Sequence, residues 1–288
     1  MNPNTSIHRN TELRAIMLDW AGTVVDHGSV APVVALQTLF AQHGISLSME
    51  DARRDMGLLK SDHIRAILSL QGVRAQWTAD TGREPVEADV HALFAEFGPL
   101  QMEIIAQYST LIPGVVETVK EWQSRGLRIG STTGYTRQML EPVREQAARD
   151  GYRPDASVCP DEVSAGRPAP WMLMKNEQLL DVYPSSACVK IGDTVIDIEE
   201  GRNAGMWTIG LTRTGNLIGL DRQQWEQLPE TEKEVRLSRA KKTLLDAGAD
   251  FVAEDLSSCD EALAAIERRL RNGECSAQVP PLEQSLSL

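Results

Sequence analysis

Five short apolar runs lie along the chain, and each of the first three breaks off at a residue with chemistry to offer. LRAIML (13–18) runs into Asp19, LRIGS (127–131) into Thr132 and Thr133, and ACVKIG (187–192) into Asp193, while MWTIGL (206–211) and ADFVAE (249–254) follow. Near-continuous apolar runs of this length suit strands covered on both faces, and strands alternating with helices build a parallel sheet. VVETVKEWQSRG, TRQMLEPVREQAARDG and DIEEGRNAG supply helices between the runs. The expected fold class is therefore α/β, with a parallel sheet between helical layers.

The gap between the first and second runs breaks this rhythm. It reads as helices with polar breaks: PVVALQTLFAQHG, MEDARRDMGLLKSDHIRAILSLQG and PVEADVHALFAEFGPLQMEIIAQYS. Structureless connections longer than about 15 residues are uncommon in compact folds, so this stretch is expected to be a domain of its own. We place a helical cap at 27–106, inserted into a core made of 1–26 and 107–272. The segment 273–288, rich in Ser, Pro and Gln without periodicity, reads as a flexible tail.

With 29 basic against 41 acidic residues, the net charge of -12 repels nucleic acid and anionic membranes at long range. Neither is expected as a partner, and any anion site must be built locally. The four cysteines, Cys159, Cys188, Cys259 and Cys275, show no CxxC spacing and fit reduced cytosolic thiols. MNPNTSIHRNTE lacks an apolar signal region, and no stretch approaches the ~20 apolar residues of a membrane span, so a cytoplasmic location is expected.

Ligand sites in open parallel sheets gather beyond the carboxyl ends of the strands. Asp19, the Thr132-Thr133-Gly134 turn, Asp193 and Asp197 all stand at such ends, so one crevice can collect them. Clustered carboxylates repel one another unless a hard cation sits among them, and Mg²⁺ takes such oxygens. Taken alone, Asp19 reads equally as an ordinary turn carboxylate. The combination of DWAGT, TTG, GRPAPW and GDTVIDI is far more specific.

Together these motifs resemble the haloacid dehalogenase superfamily, and within it the phosphonoacetaldehyde hydrolase family, over a span from about Leu13 to Arg269. The resemblance implies a Rossmann-like core with an inserted helical cap, Mg²⁺, and hydrolysis of phosphonoacetaldehyde to acetaldehyde and phosphate. It implies that Asp19 is the nucleophile that becomes an aspartyl phosphate. Asp19, Asp193 and the Ala21 backbone carbonyl would hold the metal, with Asp197 behind them holding waters or orienting neighbours. Thr133 and Gly134 would donate to phosphoryl oxygens. It further implies a homodimer formed through the caps.

Ala21 departs from the wider superfamily, whose members carry an acid there to protonate a departing alkoxide. A phosphomonoesterase or sugar-phosphate mutase would need that acid. Lys60 offers the alternative. If RRDMGLLKSDHIRAIL is one helix, Met56, Lys60 and His63 share a face at i, i+4 and i+7, with Gly57 marking either a break or a close approach. MGLLKSDHI resembles the family segment that carries a Schiff-base lysine, and Lys60 falls on it. An imine at Lys60 lets the carbon leave phosphorus as an enamine, so no alkoxide needs a proton. His63 is then a proton-transfer group near Lys60, or a satisfied surface or interface histidine. Met56 helps position water or amine, or fills core. Arg167 presents its fork to phosphonate oxygens or forms a structural ion pair. Trp20 and Tyr135 shape the pocket, or pack the core.

Overall fold

The computed structural model describes residues 12–276; the N-terminal segment and most of the expected tail, from 277 onward, lie outside the described residues. Six strands form one parallel sheet: β1 (Ala15–Leu18), β2 (Arg128–Thr132), β3 (Ala156–Val158), β4 (Cys188–Gly192), β5 (Trp207–Leu211) and β6 (Phe251–Ala253), in the order β3-β2-β1-β4-β5-β6. The five expected runs supply five of them. The sixth, β3, is three residues long and half-buried at the sheet edge, too short to show any periodicity.

Alternation along β1 explains why it is apolar throughout. Ile16 and Leu18 enter a large core with Val189 and Ile191, while Ala15 and Met17 enter a second cluster with Leu173, Cys188 and Met206. Both faces are covered, by α6 (Val115–Ser124), α7 (Arg137–Arg149) and α12 (Asp260–Arg271) among others on one side, and by α8 (Trp171–Leu180), α9 (Val195–Asn203) and α11 (Glu230–Asp246) on the other. The short α10 (Arg222–Gln227) precedes α11.

Between β1 and α6 come five helices and no named strand: α1 (Ala31–Gln42), α2 (Met49–Arg53), α3 (Lys60–Ser69), α4 (Gln71–Thr81) and α5 (Glu87–Tyr108). Asp26 opens the insert. Its carboxylate accepts from the backbone N–H groups of Val30 and Ala31, both at 2.9 Å, and so caps the start of α1. The long α5 packs on α1 and α3 and also on α7 of the sheet layer, and the large core runs without a break from Leu18 to Ile64 and Phe97.

One expectation is corrected here. The stretch from Met49 to Ser69 is two helices, because the chain leaves α2 after Arg53 and turns at Gly57, whose φ is +98°. Gly57 is also a close approach: a Cβ there would meet Thr194 Oγ1 at 2.8 Å. Met56 therefore lies in the turn, not on the helix that Lys60 begins.

Candidate active site

Register brings the strand ends together. Leu18 is level with Ser131 on β2 and Ile191 on β4, and the Asp19 N–H donates to the Ile191 carbonyl at 3.0 Å. The next residues of three neighbouring strands thus emerge side by side, where the strand order switches from one side of β1 to the other. A small cavity of about 20 Å³ collects Asp19, Ala21, Met56, Lys60, Thr133, Gly134, Tyr135, Arg167 and Asp193 in its walls. Ser29, at the entry to the insert, lines it too.

Carboxylate oxygens of Asp19, Asp193 and Asp197 lie within 4.8 Å of one another, all buried. Asp193 accepts from the Asn216 N–H at 2.6 Å through Oδ2, while its buried Oδ1 has no hydrogen-bond partner. Burial, reinforced by the charges of Asp19 and Asp197, pushes the Asp193 carboxyl well up. Asp19 is raised to about 6, by burial first and then by Asp197, against the pull of Arg167 and Lys190. Asp197 is the contrast. Despite burial, Arg167, Lys190 and Thr194 hold it at about 2. It also closes a capping box with Thr194 at the start of α9, where a negative charge meets the positive end of the helix.

Beneath this cluster runs a buried ion network that the motifs only half disclosed. Arg167 Nη1 stands 2.8 Å from Asp19 and 2.9 Å from Asp197, and its Nε stands 3.0 Å from Glu200. Lys190 Nζ stands 2.9 Å from Asp197 and 3.3 Å from Glu200. Both cations also donate to the Thr132 hydroxyl, at 2.6 and 2.9 Å. The ion-pair reading of Arg167 is thus what the geometry shows, with its fork engaged by carboxylates. Lys190 and Glu200 escaped the sequence reading. The signal for Lys190 was a lysine inside an otherwise apolar strand, CVKIG, where a buried charge must be paired; Glu200 follows Asp197 by three positions on α9 and shares its side.

Four buried carboxylates face three buried cations here, Arg167, Lys190 and Lys60. That excess of negative charge, the unpartnered Asp193 oxygen and the all-oxygen donor set fit a hard divalent cation.

Lys60 enters from the insert as the first residue of α3 and is 2 % exposed. Its Nζ lies 3.6 Å from Met56 Sδ and 5.9 Å from the centre of the Tyr135 ring. Met56 and Lys60 thus meet as the sequence suggested, though through a turn. Burial lowers the amine to about 8, the charge of Asp19 opposing and that of Arg167 assisting. His63 is fully buried and outside the cavity walls, so the surface alternative fails. Burial and the Lys60 charge hold it neutral, with its pKa well below the usual range. The Thr133 hydroxyl accepts from the Tyr135 N–H at 3.1 Å. Trp20 does not shape the cavity. Its ring points into the core, donating to Ser131 Oγ at 3.0 Å and meeting Tyr152 edge to face.

A family model for haloacid dehalogenase-like hydrolases matches residues 13–205. The chain is 43 % identical to the phosphonoacetaldehyde hydrolase of Nitratidesulfovibrio vulgaris, across 91 % of this chain and 94 % of that protein. It belongs to the phosphonoacetaldehyde hydrolase family of the haloacid dehalogenase superfamily. Another relative is the bifunctional phosphonoacetaldehyde hydrolase/aminoethylphosphonate transaminase of Clostridioides difficile, at 43 % identity over 89 % of this chain. The chain spans 40 % of that relative's length. Family likeness extends to solved structures. A phosphonoacetaldehyde hydrolase-like protein from Oleispira antarctica superposes with a TM-score of 0.90 at 38 % identity, over 91 % of this chain and 95 % of that one.

Proposed function

We propose that this protein hydrolyses the carbon-phosphorus bond of phosphonoacetaldehyde, giving acetaldehyde and phosphate. The observation that carries this is the meeting of Lys60 and Asp19 in one cavity whose wall holds Ala21 in place of an acid. The activity for which relatives aligned over nearly their whole length are named supports it.

In this mechanism the neutral Lys60 amine adds to the aldehyde carbon and expels water, and the imine takes up a proton from solvent to become a protonated imine. Asp19 then attacks phosphorus. As the carbon-phosphorus bond breaks, its electron pair moves into the iminium, giving an enamine on Lys60 and an aspartyl phosphate on Asp19. Protonation of the enamine carbon and addition of water release acetaldehyde and restore the amine. A second water hydrolyses the aspartyl phosphate. Thr133 and the Gly134 amide are assigned to phosphoryl oxygens, with Arg167 beside them keeping Asp19 ionised and in place. Tyr135 and Met56 wall the amine, and buried neutral His63 packs behind it. Mg²⁺ would be held by Asp19, Asp193 and the Ala21 carbonyl, with Asp197 behind, and when bound would offset charge on the phosphoryl group.

We further assign residues 27–106 as the cap over a core of 1–26 and 107–272, and a homodimer formed through the caps, which light scattering at working concentration tests. No helix among the described residues is long and apolar enough to cross a membrane. The buried free thiols Cys159, Cys188 and Cys259 accord with a cytoplasmic setting.

The deciding experiment is borohydride reduction in the presence of phosphonoacetaldehyde or acetaldehyde, followed by digestion and mass spectrometry. A secondary amine on the peptide containing Lys60 is expected. Lys60→Arg should lose both adduct and turnover, since arginine keeps the charge but offers no neutral amine. Efficient cleavage by that variant, with no adduct on Lys60, would leave only a generic phosphoryl-transfer assignment.

A further inference from the structure

The cavity around Asp19 has a volume of about 20 Å³, room for about one water, which no phosphonate enters without the insert moving off the sheet. A larger cleft of about 460 Å³ lies along the seam between the two, sharing the walls Met56 and Thr194 with the cavity and flanked by Arg53 and Asn216. The state described is therefore closed, and polar groups on the seam join the continuous apolar core in holding it so.

Arg53, the last residue of α2, is a side chain that spans the seam. Its Nη1 donates to the carbonyls of Gly28 and Ser29 at 2.8 and 3.2 Å and to Asn216 Oδ1 at 2.9 Å, and its Nη2 donates to the Gly219 carbonyl at 3.0 Å. Asn216 answers by donating Nδ2 to the Arg53 carbonyl at 3.2 Å. The guanidinium lies close against Gly219, where a Cβ would come within 2.7 Å of Arg53 Nε. One fork thus ties the start of the insert, at Gly28 and Ser29, to the loop that follows β5. The second loop has another duty, because the Asn216 N–H is the group that holds Asp193 Oδ2. Arg53 and Asp193 are consequently tied to the same residue, one through its side chain and the other through its backbone.

We propose that Arg53 is the latch that closes the helical insert over the site, and that Asn216 couples this closure to the placement of Asp193. Arg53 touches no reacting atom and is a positioning residue. Lysine cannot replace it, since one ammonium with three donors does not serve the four acceptors that two guanidinium nitrogens reach. The proposal rests on the reading that Lys60, delivered by the insert, works on the same substrate as Asp19 and Asp193. When the latch opens, Lys60 withdraws and the Asn216 loop that holds Asp193 loosens in the same event, so an amine is not offered to an unprepared phosphoryl site.

The test compares amide hydrogen exchange in the parent protein, Arg53→Ala, Arg53→Lys, Asn216→Ala and the surface control Arg83→Ala, all with Mg²⁺ and no substrate. Exchange across 54–63 and across 214–219 should rise together about tenfold or more in Arg53→Ala, less in Arg53→Lys and Asn216→Ala, and remain at parent values in Arg83→Ala. Labelling of Lys60 by trinitrobenzenesulfonate should quicken in the same order. Protection of both segments at parent levels in Arg53→Ala overturns the latch, and loosening of 54–63 alone overturns the coupling to Asp193. If Arg53→Ala does not fold, Arg53→Lys and Asn216→Ala carry the same comparison. Neither readout requires turnover, so a failure to cleave phosphonoacetaldehyde would count against the proposed function and leave this result standing.

Discussion

Arg167 Nη1 lies between two carboxylates, 2.8 Å from Asp19 and 2.9 Å from Asp197, and so links the residue proposed as nucleophile to the start of α9. Removing Asp19 leaves the arginine still paired with Asp197 and Glu200. Asp19→Ala should therefore fold, with an unchanged circular dichroism spectrum, and show no steady-state release of phosphate. Retained turnover would move the nucleophile elsewhere.

Lys190 should behave differently. It is fully buried against Asp197 and Glu200. Lys190→Met leaves those carboxylates short of a cation, and breaking one side of a buried pair costs about 3 to 5 kcal/mol. Urea unfolding should show that loss, and a change below about 1 kcal/mol would mean that Arg167 alone suffices for the network.

Ala21→Asp places another carboxylate in a cavity wall that already holds Asp19 and Asp193. Like charges repel strongly in a desolvated site, so carbon-phosphorus cleavage should fall at least about tenfold, while weak hydrolysis of phosphate esters can appear. A rise in phosphonoacetaldehyde turnover would contradict the explanation given for the missing acid.

The pH dependence of imine formation follows from Lys60. With the amine lowered to about 8, about one tenth is neutral at pH 7 and about half at pH 8. Trapping rates with acetaldehyde and borohydride should therefore climb about tenfold per unit below pH 7 and level off above 8. A climb continuing to pH 10 would mean a solvated lysine. The sign for stability is also fixed. Since the unfolded amine titrates near 10.5, the unfolded chain binds the extra proton between 8 and 10.5, and Lys60 costs stability at neutral pH that is relieved as pH rises through that window.

Trp20 adjoins Asp19 in sequence but points into the core and donates to Ser131. Trp20→Phe should cost about 1 to 3 kcal/mol in urea unfolding through lost packing and a lost hydrogen bond. Its kcat should stay within about twofold of the parent, because an intact core preserves the strand end. A large fall in kcat at unchanged stability would return Trp20 to the cavity.

Asp19, Thr133, Gly134 and Asp193 were legible in the chain itself. Apolar runs long enough to be covered strands name their own ends, and a parallel sheet assembles those ends at one edge. Lys60 was legible through the family segment MGLLKSDHI and through the absence of an acid at Ala21. Periodicity misplaced Met56, because a glycine with positive φ interrupts a pattern that otherwise reads as one helix. Trp20 was drawn toward the site by adjacency, although successive residues at a strand end point to opposite faces. Only the tertiary structure decided the partners of the buried charges. Lys190 meets Asp197 and Glu200 because α9 packs back on β4, and Arg53 meets Asn216 and Gly219 across more than 160 residues. A charge is tolerated in the interior only when the fold brings its counter-groups to it, so burial and pairing arise together with the packing of distant elements.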